Sequence, residues 1–212
     1  MKKSSLSSLV VLVFAVVSGS TFARPRALAT RGSGQDSATS ISREFNVTPG
    51  QQITFDLPTG AGISITGSDS NMASITATLG GPDGAKCKVD MNQTASGIEV
   101  KSSYAGSGEG HSTNISLDVR VPRQFNVSIN SAGGGIKIDN MEGAITGSSG
   151  GGAIRITSAK GNITLTTGGG TILVRDSELD GTVSTGGGHV KIQGNKGNLT
   201  GSTGGGKVEY QD

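Results

Sequence analysis

Tryptophan is absent from the sequence, and five Phe with two Tyr bring aromatic residues to only 3 % of 212 positions. A thick core built on large rings is therefore not on offer, since such rings supply much of the buried area of ordinary domains. Cysteine occurs once, at Cys87, which excludes an internal disulfide and reads as a small strand residue between Lys86 and Lys88. Proline is also sparse, at five residues, and no three-residue glycine period accompanies it, so a collagen helix is excluded. Charged residues make up 16 %, too few, beside the many Ile, Val and Thr, for a chain kept disordered by its charge. Glycine is what abounds: 36 residues of 212, more than twice the ordinary share of about 7 %. A thin, repetitive, all-β body follows.

Long apolar runs are also missing, apart from Leu9 to Val17, which is too short to span a bilayer comfortably. Lys2 and Lys3 stand before it and the small-x-small triplet Thr21-Phe22-Ala23 behind it, so residues 1–23 read as a signal peptide, with Ala27-Leu28-Ala29 a second cleavage point. No Cys lies near either point to take a lipid anchor. Cleavage after Ala23 removes two of the 18 Lys+Arg and none of the 16 Asp+Glu, which leaves a neutral mature chain. Such a chain lacks the basic footprint of a nucleic-acid binder and any strong field toward a membrane. The destination is the periplasm, the cell surface or the medium.

Residues 24–42, with Pro25, Gly32, Gly34 and several Ser and Thr, have no apolar period and read as a flexible linker. Across 43–125 the period is two: Ile53, Phe55 and Leu57; Ile63 and Ile65; Ile75, Ala77 and Leu79; Cys87, Val89 and Met91; Ile115, Leu117, Val119 and Val121. This is a strand-rich region. Across 126–212 a longer period takes over. Ile136, Ile154, Ile172, Val190 and Val208 recur every 18 residues, and so do Ile138, Ile156, Val174, Ile192 and Tyr210. A fixed period of that size means stacked coils, here nearly five of them, each with two short strands about 4.8 Å from those of the next coil.

The second strand of each coil carries the inward pairs Ile145/Gly147, Ile163/Leu165, Gly181/Val183 and Leu199/Gly201, in which large and small residues trade places so that the interior stays filled. Gly triplets at 133, 150, 168, 186 and 204 mark the corner before the first strand, where the backbone needs positive φ or close approach. No helix follows them and no Lys-Ser/Thr tail is present, so they are not phosphate loops. Glu142, Lys160, Glu178 and Lys196 stand 18 apart with alternating sign. In parallel stacking each would face an opposite charge. The expected fold is thus all-β, a strand-rich part leading into a parallel β-solenoid of 18-residue coils.

Three stretches occur in one order: Leu57-Pro58-Thr59-Gly60-Ala61-Gly62-Ile63-Ser64-Ile65-Thr66-Gly67, then Val119-Arg120-Val121-Pro122-Arg123-Gln124-Phe125-Asn126-Val127, then the Ser/Thr-Gly-Gly-Gly-x-Ile-x-Ile coils. In this the chain resembles, over roughly residues 43 to 212, the "putative adhesin" family of bacterial β-strand-repeat proteins, a domain of unknown function. More remotely it is similar to head-domain auto-transporter adhesins. The resemblance implies an exported or envelope-associated, right-handed β-helix without a known catalytic centre. Two departures stand out: Gly at the third triplet position, where the family often has Asp, and a last coil that stops part-way at Asp212.

Candidate chemistry is thin. Calcium β-rolls set Asp two residues after Gly-Gly-x-Gly, where this chain has Ile, Lys, Arg or Thr, and Asp139, Asp176 and Asp180 are too scattered to surround a hard cation. Asp176, Glu178 and Asp180 form the acidic run of the repeats, and a polysaccharide-acting β-helix enzyme using two of them as acid and base is the alternative function. His111, in a Gly/Ser-rich loop, and His189, on an outward position, make no triad with a recognisable nucleophile. Six Asn-x-Ser/Thr tripeptides, from Asn46 to Asn198, are what this composition produces by itself. No catalytic residue, cofactor or metal is expected.

One outward surface is regular. Ser128 and Asn130 are followed at 18-residue steps by Thr146 and Ser148, Thr164 and Thr166, Thr182 and Ser184, and Thr200 and Ser202. Such a ladder fits an adhesin-like binding role toward extracellular matrix, polysaccharide or an envelope protein, or contact with ice or another crystal surface. The plain structural alternative is hydroxyls that bond one another between coils. The opposite outward row, Lys137, Arg155, Leu173, Lys191 and Glu209, is mixed. Lys207 to Tyr210 form an open terminal strand without a recognisable cap, which points to self-association there.

Overall fold

A computed structural model describes residues 38–106 and 113–212 of the chain. The expected signal peptide, both expected cleavage points, the expected linker as far as residue 37 and His111 lie outside the described residues. Short alternating runs of Ile, Val, Thr and Ser dictate strands, and among the described residues there is no α-helix. The first strands are β1 (Thr39–Asn46), β2 (Gln52–Leu57), β3 (Gly62–Ser68) and β4 (Met72–Gly80). After a single 3-10 turn at Gly84–Lys86 come β5 (Cys87–Thr94), β6 (Gly97–Tyr104), β7 (Asn114–Pro122) and β8 (Asn126–Ser131). From there two series interleave. The four-residue strands β9 (Ile136–Asp139), β11 (Ile154–Thr157), β13 (Ile172–Arg175), β15 (Val190–Gln193) and β17 (Val208–Gln211) alternate with β10 (Glu142–Ser149), β12 (Lys160–Thr167), β14 (Glu178–Thr185) and β16 (Leu199–Thr203).

These strands form two sheets. The nine-stranded sheet runs β1-β4-β7-β3-β9-β11-β13-β15-β17 and the eight-stranded sheet β5-β6-β2-β8-β10-β12-β14-β16. Both are mixed and both join strands of the strand-rich part to those of 126–212, which corrects the expectation of a parallel solenoid that the earlier strands merely precede: β4 lies antiparallel to β1 and β7, and β5 antiparallel to β6. The cause is chain economy. Only Ala95 and Ser96 separate β5 from β6, and so short a link can only reverse the chain, whereas a parallel neighbour needs a crossover. Strand β1 begins inside the segment expected to be linker, with Ile41 against the core and Phe45 buried in it. As an edge strand with one neighbour, β1 shows too little alternation to stand out beforehand.

The remaining pairs are parallel, and across 126–211 each joins residues 18 apart, for example Ile154 with Ile136 and Ile172, and Ile163 with Ile145 and Gly181. Ile154 and Ile163 are buried, while Arg155 and Thr164 point to solvent. The earlier strands extend the same rows: Ile63 and Ile65 stand beside Ile136 and Ile138, and Ile53 and Phe55 beside Val127 and Ile129. A single cluster of buried side chains therefore fills the space between the sheets from Phe45 to Leu199. Each fully buried Ile, Leu or Val in it contributes about 1.5–3 kcal/mol.

Each Gly triplet turns the chain from the eight-stranded sheet to the nine-stranded one. Gly152 takes φ +96°, and a Cβ there would overlap the Gly134 carbonyl one coil back; Gly169, in the middle of its triplet, meets nothing within 4 Å. A hydroxyl stands before each of the last three corners, buried at Thr167 and Thr185 and half-buried at Thr203. Thr167, Thr185 and Thr203 donate to the carbonyls of Gly152 (3.1 Å), Gly170 (2.8 Å) and Gly188 (2.6 Å), which ties successive coils together. At the last coil Tyr210 departs from its expected place in the core. It lies in the inward row but is 56 % exposed, because no further strand lies over it, and its hydroxyl accepts a bond from the Gly201 amide in the facing sheet at 2.8 Å.

Candidate binding surface

The outer face of the eight-stranded sheet gathers every residue of the predicted ladder. Parallel register sets Thr146 beside Ser128 and Thr164, Thr164 beside Thr182, and Thr182 beside Thr200. A second row runs Asn130, Ser148, Thr166, Ser184 and Ser202. All are exposed except Ser128 and Ser184, which are half-buried. The two rows differ in how they use their hydroxyls. In the second, Ser148 reaches Asn130 Oδ1 at 3.5 Å and the Thr166 and Ser184 hydroxyls lie 3.1 Å apart. In the first, Thr146, Thr164, Thr182 and Thr200 form no side-chain hydrogen bond among the described residues.

Two further rows lie beside the threonines, one not singled out in the sequence and one the alternating charge row expected there. Asn126, Ala144, Asn162, Asp180 and Asn198 share one register, in which Asn126 Oδ1 accepts from the Ala144 amide at 2.9 Å and Asp180 Oδ1 from the Asn198 amide at 2.7 Å. Beyond them Lys160 stands between Glu142 and Glu178 and pairs with Glu178 at 3.1 Å. At the β5–β6 end the face turns to paired charges, Lys88 with Asp90 and Lys101 with Glu99, both at 2.8 Å. The Glu99 carboxylate, by hydrogen bond and charge, raises the Lys101 ammonium above its ordinary pKa.

The acidic run does not converge. Asp176 occupies a corner with φ +46°, Glu178 is taken by Lys160, and Asp180 bonds a backbone amide. Asp176 belongs to another column of the repeat, Asn140, Ser158, Asp176 and Gly194, each with left-handed backbone at the second corner. Asn, Asp and Gly are the residues that tolerate that conformation best. Among the described residues no group of three or more His, Cys, Asp or Glu is placed to hold a metal ion. His189 lies just before β15, where its Nδ1 accepts from the Lys207 amide at 3.0 Å. Cys87 is a free thiol whose pKa is pushed up, first by burial.

Two shallow clefts open at the corners. One, of about 300 Å³, is lined mainly by backbone of Gly60–Gly62 and Gly133 and Gly134; the other, of about 400 Å³, holds Asp69, Arg123 and Glu142, with Arg123 bound to Asp69 at 3.0 Å.

No protein-family model matches the chain, and no curated protein matches its sequence. Solved structures do. A putative cell adhesion protein from Clostridium sporogenes superposes with a TM-score of 0.50 at 10 % identity, over 82 % of this chain and 99 % of that one. That likeness is one of fold. A putative adhesin from Bacteroides fragilis matches at 14 % identity over 82 % of this chain and 97 % of its own, with a TM-score of 0.32. A putative lipid binding protein from Parabacteroides distasonis matches at 13 % over 81 % and 96 %, with a TM-score of 0.28.

In this chain the outer face of the eight-stranded sheet is a broad strand surface, and the two corner clefts are open and shallow. Flat, in-register rows of short polar side chains suit contact with an extended or repeating partner better than enclosure of a small molecule, which calls for a concave, largely apolar pocket.

Proposed function

We propose that the protein is an exported, non-enzymatic envelope or surface protein with an adhesin-like binding role, and that the threonine ladder of the eight-stranded sheet is its contact surface. One observation carries this reading. Thr146, Thr164, Thr182 and Thr200 stand in register and exposed, with hydroxyls that no protein group among the described residues engages. A ladder serving only cohesion would bond rung to rung, as Thr166 and Ser184 do. Free hydroxyls and methyls at a spacing of about 4.8 Å match a ligand that itself repeats, such as a polysaccharide, matrix fibre or envelope protein. The name of the Clostridium structure agrees in kind. The likeness to head-domain auto-transporter adhesins stays with the sequence motifs.

The architecture belongs to the proposal. Parallel pairs that join residues 18 apart from Ile136 to Val208 and from Val127 to Leu199 support a parallel β-solenoid across 126–212, capped on its first side by the mixed strands. The test places charge on the ladder without setting like charges face to face. Thr146→Lys with Thr182→Lys, two strands apart, should abolish attachment to immobilised matrix or polysaccharide while circular dichroism stays unchanged. Attachment that survives both substitutions would return the row to a purely structural role. Turnover of a polysaccharide, lost on Glu178→Gln, would replace the binding reading with the enzymatic one.

A further inference from the structure

The outer face of the nine-stranded sheet assembles arginines that the sequence spreads over 56 positions, Arg120 on β7, Arg155 on β11 and Arg175 on β13. Register sets Arg175 beside Thr157, one row over from Arg155, while Arg120 lies in the row of Arg175 through Thr66, Asp139 and Thr157. With strands about 4.8 Å apart and about 3.3 Å per residue, Arg155 and Arg175 stand about 8 Å apart at Cα and Arg120 about 19 Å from Arg175. All are exposed. The cations of this face divide by type. Lys137 is paired with Asp139 at 2.7 Å and Lys191 with Glu209 at 3.9 Å. Among the described residues the three arginines form no ion pair, and Arg175 is turned by a bond from its Nε to Gln193 Oε1 at 3.1 Å.

We propose that this face binds a linear acidic polysaccharide, laid across the strands with carboxylate or sulfate groups at Arg120, Arg155 and Arg175. The planar guanidinium fork suits both groups in a bidentate manner, which an ammonium does not. The make-up of this face separates this ligand from other polyanions. Leu173, between the two nearer arginines, is half-buried, and this face has no Trp or Phe to enter a membrane interface or to stack nucleic-acid bases. The two sheets turn their outer faces in opposite directions, so this site is separate from the threonine ladder and does not depend on it.

The experiment measures retention of the full chain on immobilised polygalacturonate and heparin, with neutral dextran as the blank and duplex DNA and phosphatidylglycerol vesicles as competing anions. Retention on the acidic polymers, falling as salt rises, is expected, and their ratio reports whether carboxylate or sulfate is preferred. R120Q/R155Q/R175Q should weaken it by about tenfold or more, as for loss of a few charge-assisted contacts. K137Q/K191Q should change it little, and R155K/R175K should recover only part. Should the triple variant misfold by circular dichroism, R155Q and R175Q singly give the same ordering. Thr146→Lys with Thr182→Lys, which adds charge only to the opposite face, should not lower retention on the acidic polymers even where it abolishes attachment to matrix or neutral polysaccharide, so the two readings fail separately. No retention, equal retention of the triple variant, or equal binding to DNA or vesicles would overturn the proposal.

Discussion

Neighbouring glycines in one triplet should respond to alanine with opposite sign. At Gly170 an added Cβ would fall inside the Gly152 carbonyl, with Ala153 N only 2.6 Å away, and both obstacles are backbone held in the next coil. Neither can swing aside as a flexible side chain would. Overpacking against movable side chains costs about 1–3 kcal/mol, so Gly170→Ala should reach at least the top of that range, about 3 kcal/mol. At Gly169 the same Cβ meets nothing within 4 Å, and the backbone is outside the left-handed region. There alanine restricts only the unfolded chain, which stabilises by about 0.4–1 kcal/mol. Since 1 kcal/mol moves the Tm of a domain this size by about 2–4 °C, Gly170→Ala should lower it by about 6–12 °C and Gly169→Ala raise it by about 1–4 °C. Calorimetry on the two single variants decides, with Gly187→Ala and Gly188→Ala repeating the comparison one coil on. Equal shifts, or a neutral Gly170→Ala, would refute the claim that coil-to-coil approach governs the triplets.

The two faces of a strand should separate as sharply: Ile154→Asp, which buries an unpaired carboxylate, should prevent folding, whereas Thr164→Ala on the solvent side should stay within about 0.5 kcal/mol in urea titration. Thr185 donates to Gly170 O and accepts from the Gly188 amide. Thr185→Val should therefore cost about 1–3 kcal/mol, and a change no larger than that of Thr164→Val would remove the tie we assign to it. Burial raises the Cys87 pKa, so its reaction with a thiol reagent at pH 8 should lag that of free cysteine and approach it as pH rises; an equal rate at pH 8 contradicts the assignment. Edge strand β17 should support concentration-dependent association in sedimentation velocity that Val208→Pro reduces, and a monomer at every concentration would take that role from it.

How much of the fold was legible follows from what stacking demands. A residue such as Ile154 must look like Ile136 and Ile172 because it sits on them, so the core rows announce themselves at a fixed interval. Strand direction leaves no such mark. Ile75, Ala77 and Leu79 of β4 alternate just as Ile115, Leu117 and Val119 of β7 do, yet the two strands run opposite ways. Nor does alternation reveal that β3 reaches past some 50 residues to lie between β7 and β9. Tyr210 misled for a related reason. Its row was read correctly, but inward direction becomes burial only where another strand covers the side chain.

The candidate surface was legible by the same logic and only as far as that logic reaches. Thr164, Thr166 and Thr167 are one residue type within four positions, yet Thr167 is buried on the Gly152 carbonyl, Thr166 faces the Ser184 hydroxyl, and Thr164 engages no protein group among the described residues. Identity and interval put each side chain on a face but say nothing of whether its hydrogen-bonding capacity is already used, which is what separates cohesion from binding. The arginine face was harder still. Arg155 shares its row with Leu173, and Arg120 and Arg175 sit in another row, so no repeat links the three; their common feature, a cation without a carboxylate beside lysines that have one, exists only once the strands are paired. A row that must stack repeats because the fold requires it. A group that recurs on one face without repeating in sequence has no such requirement behind it, and that is where selection by a ligand is most economically sought.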